Sequence, residues 1–203
     1  MWLRHRDAEP SIDPSAYVAP SAVLSGDVRI GADSRVLHGA VLTADGGPVQ
    51  VGASCVIMEQ AVLRGTRPNP LIIGDHVLVG PHAYLTGCEI ADEVFIATGA
   101  MVFNGARMGR ASRVGLGGSV HIGTKVADEQ NVPIGWIAVG DPAQVYPPGD
   151  AEPIMDGLRD QGGFLPYVFG VEDTGDRGEL MRTTMSRYVK ALGRHRDDTE
   201  LRP

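Results

Sequence analysis

Aromatic residues are scarce: Phe, Trp and Tyr make up 5% of the 203 residues. A core without large rings must be filled by aliphatic and small side chains, which suits a narrow, repetitive interior. Cysteine is scarcer still. Cys55 and Cys88 are the two present; they are too few for a disulfide framework, and their spacing matches no metal motif. No apolar run approaches the roughly 18 residues of a membrane-spanning helix, and the opening Met1-Trp2-Leu3-Arg4-His5-Arg6-Asp7 lacks the apolar stretch of a signal peptide. An excess of basic charge is also missing. With 18 Lys and Arg against 25 Asp and Glu the net charge is −7, which argues against nucleic acid or an anionic membrane surface as partner. Together these absences predict a reduced, cytoplasmic protein. The basic residues Arg187, Lys190, Arg194 and Arg196 stand near Asp197 and Asp198 and read as a solvated helix face.

What the chain has in quantity is glycine, 27 residues, and an aliphatic residue at every sixth position. The series runs Ile12, Val18, Leu24, Ile30, Val36, Leu42. It resumes at Val51, Ile57 and Leu63, again at Ile73, Val79 and Leu85, and after losing one residue continues from Ile90 to Val132. A small residue stands four positions after most of these, as at Ala16, Ala22, Ser34, Ala40, Cys55 and Ala61. A period of six is neither the 3.6 of an amphipathic helix nor the 2 of a lone strand. A short strand followed by a tight turn, repeated, produces it, and three such units close one triangular coil. The aliphatic and small residues face inward, and Gly, Asp and Asn take the corner dihedrals. Coils stacked at about 4.8 Å would give six to seven turns in a prism roughly 30 Å long. Cys55 falls in an inward slot and reads as packing.

The phase breaks at two places, around Asp45-Gly46-Gly47-Pro48 and around Thr66-Arg67-Pro68-Asn69-Pro70. Both insertions follow the third strand of a coil, so both loops should leave the same edge of the prism, and loops on a rigid scaffold often carry function. The repeat ends after Gly140-Asp141-Pro142-Ala143. The chain thus divides into a parallel β-helix over 1–145, an irregular Pro-, Gly- and acid-rich connection over 146–178, and a helix with a tail over 179–203. Leu180, Met181, Met185, Tyr188, Val189 and Leu192 are spaced as the apolar face of that helix. It should pack along the prism or across a subunit boundary.

Several motifs occur in order: Asp13-Pro14-Ser15-Ala16-Tyr17-Val18-Ala19-Pro20-Ser21-Ala22, Gly26-Asp27-Val28, Gly39-Ala40-Val41-Leu42, Ile73-Gly74-Asp75-His76-Val77, Gly87-Cys88 and Val139-Gly140-Asp141-Pro142-Ala143. Over roughly residues 10–146 the chain resembles γ-class carbonic anhydrases and their relatives. The resemblance implies an all-β, left-handed parallel β-helix with a C-terminal α-helix. It also implies a homotrimer with clefts between neighbouring prisms. In those enzymes three histidines from two subunits hold zinc. The matching places here carry Arg64, in Leu63-Arg64-Gly65-Thr66, and Pro81 and Thr86, in Gly80-Pro81-His82-Ala83-Tyr84-Leu85-Thr86-Gly87-Cys88. His82 is one residue out of place, and a one-residue slip along a strand turns a side chain to the other face. The family's Leu-Arg-Gly-Asp is Leu42-Thr43-Ala44-Asp45, and its Gln-Asp pair is Met58-Glu59, so the carboxylates Asp45 and Glu59 remain.

Arg stays protonated and cannot ligate, Pro has no donor atom, and a threonine hydroxyl is a poor zinc ligand. The family's zinc triad is therefore expected to be missing, and no metal or other cofactor is predicted. The alternatives are a relocated zinc site, built from His38, Glu59 and His82 of two chains, and CoA. On the six-residue register His38 and Glu59 fall in successive coils about 4.8 Å apart, close enough for a general base with its orienter, or for a solvated ladder pair. Glu59, His82 and His38 are the catalytic candidates. Asp45, Arg64, Thr86 and Asn104 are the ligand-binding candidates, with Arg64 suited either to a carboxylate or phosphate or to an ion pair. His76, at a corner, and His121, on a late coil, read as structural. The functional expectation is a trimer that binds or converts a small molecule at its interface cleft rather than hydrating CO2. Competing readings are a CoA-dependent hexapeptide acyltransferase, with His38, His82 or His121 as base, and a structural assembly subunit. The sequence leaves open whether the chain is an enzyme.

Overall fold

The computed structural model describes residues 1–201. Its body is a left-handed parallel β-helix of about eight turns carrying a C-terminal α-helix. Three sheets form the faces of the prism, of seven, seven and ten strands. Inward ladders make the core. On the ten-stranded face Leu24, Leu42, Leu63, Leu85, Val102, Val120 and Ala138 stand in register, and all are fully buried. Burying a Leu or Val side chain stabilises the fold by about 1.5–3 kcal/mol, and the repeat supplies one such residue per strand. Cys55 and Cys88 are both buried, and burial pushes both thiols up.

The coils outnumber the six to seven read from the repeat. Trp2–Arg4 forms a rung before Ile12 and Ile137–Val139 forms one after Val132. Trp2 and Ala138 occupy the ladder slots there, so the aliphatic signature is absent at both ends. Each end of the ten-stranded sheet is closed by an antiparallel strand, Gln144–Tyr146 at one and Thr199–Leu201 at the other. The tail therefore returns to the first strand, with Trp2 opposite Leu201. Pairing by the tail covers an edge that would otherwise be open to intermolecular strand addition.

The stretch 146–178 is not an irregular connection. It contains α1 (Ala151–Asp160) and α2 (Phe164–Phe169), which end at Gln161 and Gly170. The Pro and Gly that suggested a loop sit in and around these helices: Pro153 and Pro166 lie in their first turns, where proline is tolerated, and Gly170 is a left-handed C-cap. The third helix, α3 (Arg177–Leu192), starts two residues earlier than its pattern suggested. Asp176 caps it, accepting hydrogen bonds from the amides of Gly178 and Glu179. Its apolar residues do not form one face. Leu180 and Thr184 turn inward, whereas Met181, Met185 and Val189 are exposed. Thr184 is buried at no hydrogen-bonding loss because its hydroxyl donates to the Leu180 carbonyl. Of the C-terminal segment, residues 202 and 203 lie outside the described residues.

Candidate functional site

The ten-stranded face positions the site. Val41–Ala44, Val62–Gly65 and Tyr84–Thr86 lie side by side, with Thr43 opposite Arg64 and Arg64 opposite Thr86. Since alternate residues point to opposite faces, Leu42, Leu63 and Leu85 enter the core while Arg64 points outward. The two inserted loops leave the same ends of these strands and stack. The Gly46 amide donates to the Gly65 carbonyl, and Arg67 Nε donates to the Gly46 carbonyl. Gly47 permits this close approach: a Cβ there would lie 2.5 Å from the Thr66 carbonyl oxygen.

Against this edge the helices and tail enclose a cavity of about 520 Å³. Asp45, Arg64, Thr86 and Asn104 all line it. Arg64 donates from Nε to Asp45 and from a terminal nitrogen to the Tyr188 hydroxyl of α3, 2.9 Å away. Burial alone would lower the pKa of Arg64, but the Asp45 carboxylate and Tyr188 outweigh it and raise the value. Asn104 is buried and donates to Thr66 Oγ1 at 2.8 Å, and Thr66 in turn donates to the Asn69 carbonyl, so the second loop is pinned to a later coil. On the aromatic side, Phe103 meets Phe164 edge-on at 5.7 Å, and Phe169 meets Tyr188 at 5.2 Å.

The three catalytic candidates stand elsewhere. His38 and Glu59 are in register and adjacent to the Pro81-His82 turn: the Gln60 amide donates to the His38 carbonyl and the His82 amide to the Glu59 carbonyl. This corner precedes the strands whose far ends carry the two loops, so within one chain it does not reach the cavity. His38 and Glu59 share no side-chain hydrogen bond among the described residues; His38 Nδ1 instead lies 2.8 Å from Ser21 Oγ. His82 is exposed, at φ 57°. His121 stacks on Phe103 at 5.4 Å, and its Nδ1 accepts from the Ile122 amide, behind the aromatic wall of the cavity. Burial lowers its pKa.

Sequence reasoning missed a second cluster beside Asp45. Asp198 faces the Nδ1 edges of two stacked imidazoles, His5 and His195, whose centroids are 4.3 Å apart. Both Nδ1 atoms face its carboxylate, that of His195 at 2.8 Å. Burial would raise the pKa of Asp198, but the hydrogen bonds from His195 and His5 prevail and lower it; an ionised carboxylate accepts only, so both Nδ1 atoms carry hydrogen. His195 Nε2 lies 3.1 Å from the other oxygen of Asp45. Hydrogen bonds join Arg64 to Asp45 and both His195 and His5 to Asp198, fastening the tail to the first strand beside the cavity, while His195 Nε2 approaches Asp45 without a hydrogen bond. His5, His195 and Asp198 could also gather around a metal ion. Arg6, Arg67 and Arg194 stand nearby, however, and their positive charge opposes a dication. The arginines at 187 and 194, read as a solvated face, both border the cavity. No repeat or motif marks these residues.

No model of a known protein family matches the chain. Individual proteins do. The chain is 35% identical over 153 residues to the mitochondrial gamma carbonic anhydrase 1 of Arabidopsis thaliana, covering 70% of this chain and 54% of that protein. It is 33% identical over 105 residues to the carnitine operon protein CaiE of Escherichia coli, covering 52% and 54%. The chain thus spans about half the length of these curated relatives. A solved structure from Bacillus cereus, provisionally described as an acetyltransferase, superposes with a TM-score of 0.54 at 25% identity, covering 93% of this chain and 96% of that one.

Proposed function

The chain belongs with the γ-class carbonic anhydrase-like hexapeptide-repeat proteins, and from that premise we propose that it binds a small organic molecule in the cleft at Arg64 instead of activating water on zinc. The observation that carries this reading is the state of Arg64. It occupies the place of a family zinc ligand, yet its guanidinium is held by Asp45 and by the Tyr188 hydroxyl. Zinc does not fit these residues. A permanent cation replaces one imidazole, Thr86 offers a neutral hydroxyl, and Pro81 offers nothing. Asp45, which could have attracted a metal, is already neutralised by Arg64.

The relatives' names support the scaffold and leave the chemistry to the residues. The protein is a homotrimer on this reading. Outward-facing Tyr17 and Phe95, about 45% exposed each, share one face of the prism, and Met181, Met185 and Val189 of α3 are uncovered. Burial of such apolar surface favours assembly. Assembly would also bring a neighbour's His38, Glu59 and His82 corner toward the cleft, the arrangement that the family resemblance implies.

The test is zinc titration of metal-stripped protein by calorimetry, with CO2 hydration followed in parallel and mass measured by light scattering. The expected outcome is no tight stoichiometric zinc binding, no hydration above background and a particle of three times 21.5 kDa. One tightly bound zinc per chain with ordinary hydratase turnover would overturn the reading. The acyltransferase alternative has a specific feature in its favour, the fold shared with the Bacillus cereus structure. Acetyl transfer from acetyl-CoA to a panel of amines and alcohols would establish it.

A further inference from the structure

The cavity beside Arg64 has two unlike ends. One is cationic. Arg6, Arg67 and Arg194 reach it from three separate segments: the turn after the first strand, the second inserted loop, and the 3-10 turn Gly193–Asp197. Among the described residues none of the three has a carboxylate within ion-pair distance, while the Asp45 carboxylate in the lining is engaged by Arg64 and faces His195. Three guanidinium groups without an ion-pair partner repel one another, the more distant Asp45 and Asp198 offset this for Arg6, and an added anion would relieve the rest. Burial first, then repulsion from Arg194 and Arg67, lowers the pKa of Arg6, against a smaller opposing pull from Asp45 and Asp198.

The backbone at Arg6 is a second sign. Arg6 and Asp7 both have positive φ, 51° and 63°, in a two-residue turn closed by reciprocal hydrogen bonds between His5 and Ala8. Such a turn favours Asn-Gly, and Arg-Asp is a strained occupant. Strain of this kind clusters at ligand clamps, where neighbouring structure enforces it. Here the enforcing contact is the buried His5, tied to Asp198 of the tail.

The other end is aromatic. Phe103, Phe164, Phe169 and Tyr188 present ring faces and edges, and no charged group other than Arg187 lies among the α2 and α3 residues that flank them in the lining. A ligand that satisfies both ends has a compact, multiply charged anionic group joined to a flat apolar body.

Resting on the reading that the cleft holds a small molecule rather than zinc, we propose that the ligand is an organic phosphate monoester, its phosphoryl group bound by Arg6, Arg67 and Arg194 and its apolar body lying between the aromatic rings. Three guanidinium donors match the three terminal oxygens of a phosphate monoester, whose near-double charge offsets most of theirs. A carboxylate, with one charge and two oxygens, would leave two of the arginines uncompensated, against about one for the phosphoryl group.

Isothermal titration of the full chain with phenyl phosphate, inorganic phosphate, benzoate and phenol tests this. The expected result is one phenyl phosphate per chain, bound at least about tenfold more tightly than any of the other three. Its affinity should fall as salt is raised. Arg67→Gln and Arg194→Gln, both at exposed positions, should each weaken binding about tenfold with the fold intact by circular dichroism. Benzoate or phenol binding as tightly as phenyl phosphate would overturn the phosphate assignment and leave the cleft reading standing. If phenyl phosphate fails to bind while zinc binds stoichiometrically, both fall. Phenyl phosphate binding unchanged in both variants would also overturn the assignment.

Discussion

Replacing Asp198 by Asn tests the polar cluster that closes the site. The change keeps the shape of the side chain and removes its charge. In the native protein two imidazole N–H groups donate to that carboxylate, which is about nine-tenths buried. A hydrogen bond to a charged group contributes about 1.5–3 kcal/mol. An amide oxygen can still accept one of the two, but its NH2 meets the other N–H donor to donor. The loss should therefore be about 2–4 kcal/mol. It should fall on the docking of residues 193–201 and not on the β-helix, because regions open separately when their contacts differ. Hydrogen exchange read by mass spectrometry is the assay. Peptides covering 1–8 and 193–201 should exchange about 30- to 1,000-fold faster in the variant, with peptides from the ladder strands unchanged. Acidification should reproduce the effect in the native protein. The folded pKa of Asp198 lies below its unfolded value of about 3.9, so its contribution is complete above that value and disappears as pH falls through the folded one. Equal exchange in the variant and native tails, or faster exchange throughout the ladders, would refute the clamp.

His121 is half-buried against Phe103 and Phe164, and burial lowers its pKa, so it resists protonation in the folded state. Stability should be full above the unfolded value of about 6.5 and should decline as pH falls toward the folded one; His121→Phe should flatten that slope in thermal melts between pH 5 and pH 7. Gly105 has φ 72°, and a Cβ there would overlap the Tyr167 hydroxyl of α2. Gly105→Ala should cost about 1–3 kcal/mol and loosen α2, read as faster exchange of residues 164–169, with the prism otherwise intact.

Most of the fold was legible because a β-helix turns tertiary contact into short-range pattern. Each ladder neighbour lies roughly one coil away, as Leu24 to Leu42 and Leu85 to Val102 show. Every coil must fill the same narrow interior, so the same residue type returns at the same phase. Breaks in that phase located the two loops and, through the strand register, the outward row Thr43, Arg64 and Thr86. At the ends the pattern failed for a steric reason. Trp2 and Ala138 fill terminal rungs that need not match the width of the interior.

The sequence by itself determined the repeat, the register and the two inserted loops. Only the tertiary structure decided which side chains complete the cavity. Tyr188 reaches Arg64 across 124 residues, and His5 reaches Asp198 across 193. Those contacts depend on the path of an aperiodic C-terminal segment over a prism face, and a path set by a few side-chain contacts and a single antiparallel strand leaves no period to read. A different reason separates His38, Glu59 and His82 from the cavity within one chain. Register put His38 and Glu59 in one row correctly, but a strand has two ends, and the loops that build the site leave from the other one.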